Sequence, residues 1–182
     1  NEGATTIAQL PGDGWMWYIP LANDRVSIGV VAKRKQLFAD TRDPREVLTA
    51  NIALNPWVAQ NVENAAPDSP IRVTSDYSYR SQHCSDRGIV LTGDAFGFLD
   101  PVFSSGGFLA LVSGERAALA VHEALKTPEP ASYNFDAYGE WLCGGIEAMR
   151  ALVHAFYQPE FSMAAMLRSH PGLSTDVTDC LV

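Results

Sequence analysis

A glycine- and serine-rich segment, residues 92–107, holds the residue types best suited to bind a ligand. It follows a short apolar run, residues 89–91, that predicts a buried strand, and it leads into a long apolar helix pattern. Backbone N–H groups and the positive end of the helix dipole attract negative charge at a helix start, and a carboxylate before such a loop can accept hydrogen bonds from ligand hydroxyls. The residues so placed are Asp94, Ser104, Ser105, Gly106 and Gly107.

The same residues also fit a plain turn. Neither G-x-G-x-x-G nor G-x-x-x-x-G-K-[ST] occurs in the chain, so the spacing is not that of a dinucleotide fingerprint or a P-loop. In this alternative, Asp94 caps a turn, Pro101 is an ordinary turn proline and the two serines cap the following helix. The residue types alone leave ligand binding and capping both open.

The first third of the chain predicts an antiparallel meander. Short β-rich runs at residues 5–10, 15–20 and 25–31 are separated by turn residues at 11–14 and 23–24. Alternation along the second run places Trp15 and Trp17 on one face of the sheet, and Met16 and Tyr18 on the other.

The rest of the chain predicts mostly helices. Asp43 is an N-cap before Pro44 and starts a helix that reaches about Leu54, and Pro56 starts a short one. Residues 71–79 predict a strand, residues 108–125 a mostly buried helix, and residues 133–156 an amphipathic helix. A last short helix is predicted at residues 160–169.

Composition excludes several classes of protein. The net charge of −8 argues against nucleic acid and against an anionic membrane surface as partners, and no segment approaches the roughly 20 apolar residues of a membrane span. Cys84, Cys143 and Cys180 are scattered, and the four histidines lack metal-ligand spacing, which predicts neither a disulfide framework nor a metal site. This composition and charge are typical of a cytoplasmic protein with reduced thiols.

Two motifs together resemble one enzyme family. Gly93-Asp94-Ala95 followed by Phe98-x-x-Pro101-x-x-Ser104-x-Gly106 is similar to the second flavin-binding segment of FAD-dependent halogenases. Those enzymes belong to the flavoprotein monooxygenase and geranylgeranyl reductase superfamily. Trp15-x-Trp17-x-Ile19-Pro20 matches their other signature, W-x-W-x-I-P, and the motifs stand in the family's order.

The resemblance implies roles for individual residues. It places FAD against Gly93, Asp94, Ala95, Pro101, Ser104, Gly106 and Gly107, with the Asp94 carboxylate on ribityl or phosphate-linked oxygens. It places a halide at Ser105 and Gly106, where backbone amides would hold chloride. It makes Trp15 and Trp17 a wall between flavin and substrate, whereas the residue types alone favour ordinary sheet packing for this pair.

The resemblance also implies that the chain is the C-terminal part of a larger enzyme. The family's N-terminal βαβ half, with its G-x-G-x-x-G loop and catalytic lysine, has no counterpart in the sequence. The cluster Lys33-Arg34-Lys35 is interpreted as a solvated corner and not as that lysine. The expected fold class is α+β: a substrate-domain antiparallel sheet with short helices (residues 1–80), the second FAD segment with a strand and long helix (81–126) and a helical region (127–182).

The implied activity is halogenation of an activated aromatic substrate, free or carrier-bound, with reduced FAD, O2 and halide. The expected partners are the missing N-terminal half, a flavin reductase and, through the apolar face left uncovered, a second copy as a homodimer. Two alternatives stay open: an FAD-dependent monooxygenase or geranylgeranyl-reductase-like enzyme, and a catalytically silent binding or dimerisation module.

Overall fold

The chain divides into two compact units, Asn1–Ser75 and Asp76–Val182, in a computed structural model. The structure describes residues 3–86, 88–126, 135–158, 160–173 and 175. Cys180 and the predicted helix start at Tyr133 lie outside the described residues.

The first unit is built on the predicted meander. Strands β1 (Thr6–Leu10), β2 (Gly14–Leu21) and β3 (Arg25–Val31) form an antiparallel sheet in the order β1-β2-β3. Asn23 and Asp24 take positive φ in the second turn, a conformation that their short polar side chains tolerate. The strand predictions are therefore confirmed to within a few residues.

Three helices follow in this unit: α1 (Arg34–Leu37), α2 (Pro44–Ala53) and α3 (Pro56–Asn61). The Asp43 carboxylate accepts the Arg45 N–H at 2.8 Å and confirms the predicted N-cap. Met16, on the sheet face opposite Trp15 and Trp17, is fully buried against Val58 of α3. Lys33 is exposed and pairs with Asp13, in agreement with a solvated corner.

The described residues of the second unit form four two-residue strands and three α-helices. Strand β4 (Tyr79–Arg80) pairs with β7 (Gly97–Phe98), and β5 (Ser85–Asp86) pairs with β6 (Ile89–Val90), both antiparallel. The helices are α4 (Gly106–Leu125), α5 (Asp136–Phe156) and α6 (Met163–Ser169). Its core joins the loop residues to both long helices through Cys84, Phe96, Leu99, Ala117, Tyr138, Leu142 and Ile146.

Three expectations about residues 71–125 are wrong. Residues 71–78 form no strand, since they are mostly exposed and Asp76 takes a positive φ that interrupts an extended run. The strand before the Gly-Asp turn is not buried, because it pairs only along one short hairpin and Ile89 is 60% exposed. Helix α4 is not mostly buried: it packs through Ser113 and Ala117, while its other side exposes Phe108, Leu111, Leu119 and Leu125.

Within the described residues, Cys84 and Cys143 are free thiols. Burial raises the pKa of the Cys84 thiol and keeps it protonated near neutral pH. No helix in the described part of the chain is long and apolar enough to cross a membrane.

Candidate functional site

Gly93 joins the Gly-Asp turn to helix α4 by a hydrogen bond and a close backbone contact. The turn is a single 3-10 turn, Gly93–Ala95, and Gly93 takes a φ of +50°. Its N–H donates to the buried Ser113 hydroxyl at 2.9 Å, and an added Cβ would lie 3.0 Å from the Ala110 Cβ. Both the positive φ and the close approach require glycine here.

Asp94 lies at the surface in the middle of the Gly-Asp turn. Its side chain is exposed, and no described residue donates a hydrogen bond to that carboxylate. The Asp94 backbone carbonyl accepts the Tyr79 hydroxyl at 2.6 Å, which ties the turn to β4. Ala95, next to it, is also exposed. The carboxylate is thus free to accept hydrogen bonds from a ligand.

Asp100 performs the capping that one interpretation assigned to Asp94. Its Oδ1 accepts the Val102 N–H at 3.1 Å and caps the second 3-10 turn, Pro101–Phe103, with Pro101 at the first turn position. Its Oδ2 accepts the Tyr157 hydroxyl at 2.9 Å and the Tyr77 hydroxyl at 3.4 Å. Burial, with the adjacent Asp100 charge and hydrogen bond, raises the pKa of Tyr77 to about 12.

The start of α4 presents backbone amides without partners. Ser104 is left-handed (φ +53°), Ser105 is buried, and neither hydroxyl caps the helix in the described structure, so serine capping is not observed. The Ser105 carbonyl accepts the Leu109 N–H at 2.9 Å, whereas within the described residues no hydrogen bond takes the N–H of Gly106, Gly107 or Phe108. These are the orphan donors of a helix N-terminus, and they carry its positive end charge.

Open space lies next to these amides. A Cβ added at Gly107 would meet nothing within 4 Å, and one at Gly106 would meet only the Phe98 ring edge at 3.8 Å. The fold of the described chain therefore does not require glycine at either position. A ligand that approaches the backbone closely would.

Helix α5 makes two contacts with the segments that lead into and out of the loop. The Tyr138 hydroxyl donates to the Leu91 carbonyl at 2.6 Å, and burial raises the pKa of Tyr138 to about 12. Arg80 of β4 pairs with Glu147 of α5 at 3.0 Å. The strand ends that carry the loop are thus held by one helix.

Trp15 and Trp17 lie side by side in the first unit. Their ring centroids are 6.1 Å apart with the planes tilted by 56°. Trp15 is 2% exposed and Trp17 is half-buried. The Trp17 indole N–H donates to the Ser27 hydroxyl at 3.1 Å. The predicted sharing of one sheet face is confirmed.

Sequence reasoning missed the residues that hold the loop in place. These are Ser113, Asp100, Tyr77 and Tyr157. The dipeptide Asp100-Pro101 is a turn-initiating signal that could have identified the cap, but nothing in the sequence pairs Asp100 with tyrosines 23 and 57 residues away. Among the described residues, no group of three His, Cys, Asp or Glu side chains could hold a metal ion.

The chain was compared with protein families. A model of the tryptophan halogenase family matches residues 3–162. Among curated relatives, the 1H-pyrrole-2-carbonyl-(peptidyl-carrier protein) brominase of Pseudoalteromonas luteoviolacea is 30% identical over 159 residues, which cover 84% of this chain and 38% of the brominase. The flavin-dependent halogenase gsfI of Penicillium aethiopicum is 38% identical over 122 residues, covering 63% of this chain and 23% of gsfI.

Solved structures agree. The flavin-dependent brominase Bmp2 superimposes with a TM-score of 0.86 at 28% identity, over 97% of this chain and 44% of that one. The myxobacterial chondrochloren halogenase CndH, described as a variant of FAD-dependent halogenases, superimposes with a TM-score of 0.77 at 29% identity, over 88% of this chain and 38% of that one. The expected α+β class is confirmed, and the chain spans less than half the length of these relatives.

Proposed function

This chain belongs to the tryptophan halogenase family, and we propose that it supplies the second FAD-binding segment and the halide loop of a flavin-dependent halogenase. The observation that carries the proposal is the row of unpartnered amides at Gly106, Gly107 and Phe108 with open space beside them. Since the chain covers 38% of the curated brominase, the complete reaction belongs to a longer protein. The G-x-G-x-x-G loop, the βαβ half and the catalytic lysine of that protein would come from outside this chain.

The residues of the loop fit a flavin and an anion. The Asp94 carboxylate would accept hydrogen bonds from ribityl hydroxyls, and the positive φ of Gly93 with the small Ala95 would let the flavin chain approach the backbone. Pro101 and Ser104 would shape the loop beside the ring system. The amides of Ser105 and Gly106 would hold the halide, while Gly107 would face the pyrimidine edge.

Reduced FAD would supply the electrons with which O2 and halide give a hypohalous oxidant. The chain's contribution would be to hold the halide by amides and dipole, and to supply the tryptophan pair Trp15 and Trp17, to which the resemblance gives the role of an active-site wall. The substrate would be an activated aromatic ring, and the carrier-protein substrate in the name of one relative supports a carrier-bound form. A flavin reductase would be the electron-supplying partner in a cytoplasmic setting.

The uncovered side of α4 supports the same proposal. Four large apolar residues on this helix are between 55% and 78% exposed: Phe108, Leu111, Leu119 and Leu125. A surface of this kind is typical of an interface. We assign it to the family's N-terminal half, with a homodimer as the alternative occupant.

Gly107→Ala tests the ligand role of the loop. Alanine favours helix and its Cβ meets no described atom within 4 Å, so the variant should fold as well as the parent. Gly114→Ala on the same helix, equally free of neighbours, is the matched control. We expect Gly107→Ala to weaken FAD binding, measured by quenching of tryptophan fluorescence with and without chloride, while Gly114→Ala does not. Equal affinities in both variants would contradict the placement of flavin at this loop.

Asp94→Ala tests the carboxylate in the same titration. Loss of FAD binding is expected, with Asp40→Ala, another exposed aspartate, as the control. A folded full-length protein that binds FAD and shows no halogenated product, by mass spectrometry with chloride and bromide, would favour the monooxygenase alternative. Failure of the folded full-length protein to bind FAD would favour the non-catalytic module.

A further inference from the structure

Two free cysteines of the second unit belong to elements that pack against each other. Cys84 stands just before β5 and is buried, whereas Cys143 lies in α5 and is half-buried. Neither takes part in the candidate FAD and halide site. An oxidant dissolved in water reaches the more exposed thiol first, so the two cysteines differ in access although they pack in one core.

The Cys84 sulfur rests on α5 at a glycine. A Cβ built on Gly139 would lie 2.7 Å from the Cys84 Sγ, so any side chain there would displace the sulfur from the helix. Cys143 follows Gly139 by four residues, which places both on one face of α5, a single turn apart. Since helical side chains lean towards the helix N-terminus, the Cys143 side chain extends back towards Gly139, where the Cys84 sulfur lies.

The interactions of the two thiols agree with this placement. Cys143 packs against the buried cluster that contains Cys84. Burial first, and then the charge of Cys143 and a hydrogen bond with its thiol, raise the pKa of Cys84, against a lowering by the hydrogen bond with Ser85. A hydrogen bond between the two thiols requires that their sulfur atoms be neighbours.

Hydrogen bonds hold the Cys84 side of the pair in place. The Leu91 N–H donates to the Cys84 carbonyl at 2.8 Å, next to the pairing of β5 with β6. The Leu91 carbonyl in turn accepts the Tyr138 hydroxyl at 2.6 Å, and Tyr138 precedes Gly139 on α5. The hairpin that carries Cys84 is therefore fixed against the part of the helix that carries Cys143.

We propose that Cys84 and Cys143 form an oxidisable dithiol site, which reacts with hydroperoxides and closes to a reversible disulfide between the hairpin and α5. In the first step the Cys143 sulfur attacks a peroxide oxygen, the O–O bond breaks, and Cys143 becomes a sulfenic acid with release of one water. In the second step the Cys84 sulfur attacks the Cys143 sulfur, the S–O bond breaks, the S–S bond forms, and a second water leaves with the Cys84 proton. The two thiols lose two electrons, and hydrogen peroxide is reduced to two waters.

The buried thiol gives an oxidised Cys143 a partner within the protein. A sulfenic acid with no thiol beside it proceeds to sulfinic acid, which reductants do not reverse, whereas a disulfide returns to two thiols. The thiolate is the reactive form of cysteine, and the raised pKa of Cys84 keeps that thiol from being the first target. Cys143 is thus the peroxide-reactive cysteine and Cys84 the resolving one. The site needs only two thiols and a peroxide, so it does not rest on the halogenase proposal.

Peptide mapping of the full-length protein tests the pair. Trypsin releases residues 81–87 and 127–150 as peptides with one cysteine each. The reduced protein is treated with hydrogen peroxide, blocked with iodoacetamide and digested without reductant. We expect a linked peptide with the mass of both minus two hydrogens, which dithiothreitol separates again. A folded parent protein without this link would overturn the proposal, and so would a link of Cys84 or Cys143 to another cysteine in its place.

Three variants assign the roles. Cys84→Ala should leave Cys143 as a sulfenic acid that dimedone traps, and excess peroxide should carry it to the sulfinic acid that the parent avoids. Cys143→Ser should protect Cys84 from peroxide, while Cys180→Ser is the control and should link as the parent does.

Two results would overturn these roles. Equal resistance of Cys143 to overoxidation in Cys84→Ala and in the parent would remove the resolving role of Cys84. Oxidation of Cys84 in Cys143→Ser as fast as in the parent would refute the order of the two steps. Should Cys84→Ala fail to fold by circular dichroism, the link in the parent and the behaviour of Cys143→Ser decide.

Discussion

Removal of the Asp100 carboxylate should loosen the loop that carries the candidate site. Asp100→Ala deletes the cap on Val102, worth about 1 kcal/mol, and the charge-assisted bond from Tyr157, worth about 1–2 kcal/mol for a half-buried pair. The Tyr77 contact at 3.4 Å adds little. We therefore expect a loss of about 2–3 kcal/mol in the free energy of unfolding. Tyr157→Phe alone should cost about 1 kcal/mol, because its ring contact with Phe156 is kept.

Urea unfolding followed by circular dichroism at 222 nm is the assay. The two longest helices, α4 and α5, have 20 and 21 residues and belong to the second unit, so the signal reports chiefly on the unit that contains Asp100. Tyr18→Phe, in the first unit, controls for the loss of a tyrosine hydroxyl elsewhere. A double-mutant cycle between Asp100→Ala and Tyr157→Phe isolates their interaction.

The cycle also shows how the reasoning would fail. If the carboxylate is the partner of the hydroxyl, Tyr157→Phe should cost almost nothing once Asp100 is alanine. An equal cost in both backgrounds would refute the link between this loop and the end of α5. A change below about 0.5 kcal/mol in the free energy of unfolding of Asp100→Ala, the range of ordinary surface substitutions, would refute the expected loss of about 2–3 kcal/mol.

Three further predictions concern the same unit. Gly93→Ala should destabilise the second unit by about 1–3 kcal/mol in urea unfolding, because alanine is strained at the positive φ and its Cβ crowds α4. Folding raises the pKa values of Tyr77 and Tyr138 from 10.0 to about 12, so both tyrosines hold their protons more tightly in the folded protein. The free energy of unfolding should therefore be unaffected below pH 10 and fall between pH 10 and 12. Thermal melts across that window should show a smaller fall in Tyr138→Phe. The Arg80–Glu147 pair is more than one-third exposed, so a double-mutant cycle should give about 0.5 kcal/mol, decreasing in 1 M salt to near zero; an unchanged value at high salt would show that the pair is not solvent-screened.

Local features of the fold were predictable from the sequence. The three strands of the first sheet follow from alternating β-rich runs and turn residues that lie next to each other in the chain. The Asp43 cap follows from chemistry within three residues. The Gly-Asp loop and the tryptophan pair were identified as motifs, and their family was recognised from residue type and spacing, because motifs are written in consecutive positions.

Other predictions needed neighbours that the sequence does not reveal. The apolar pattern of α4 is the same whether its second side is covered or not, and exposure of Leu111 depends on what packs against it. Residues 71–78 alternate like a strand, but a strand also requires a partner edge, and the described chain offers one only to Tyr79 and Arg80.

The contacts that shape the candidate site belong to tertiary structure alone. Asp100 meets a tyrosine 57 residues away, and strand register sets Gly29 opposite Trp17, where a Cβ would meet the indole ring. The sequence by itself determined which residues can bind an anion, a flavin hydroxyl or an aromatic ring, since that is a property of their side chains and of local backbone. Tertiary structure decided which of them have free donors, fixed rotation and open space, because those depend on atoms brought together from distant parts of the chain.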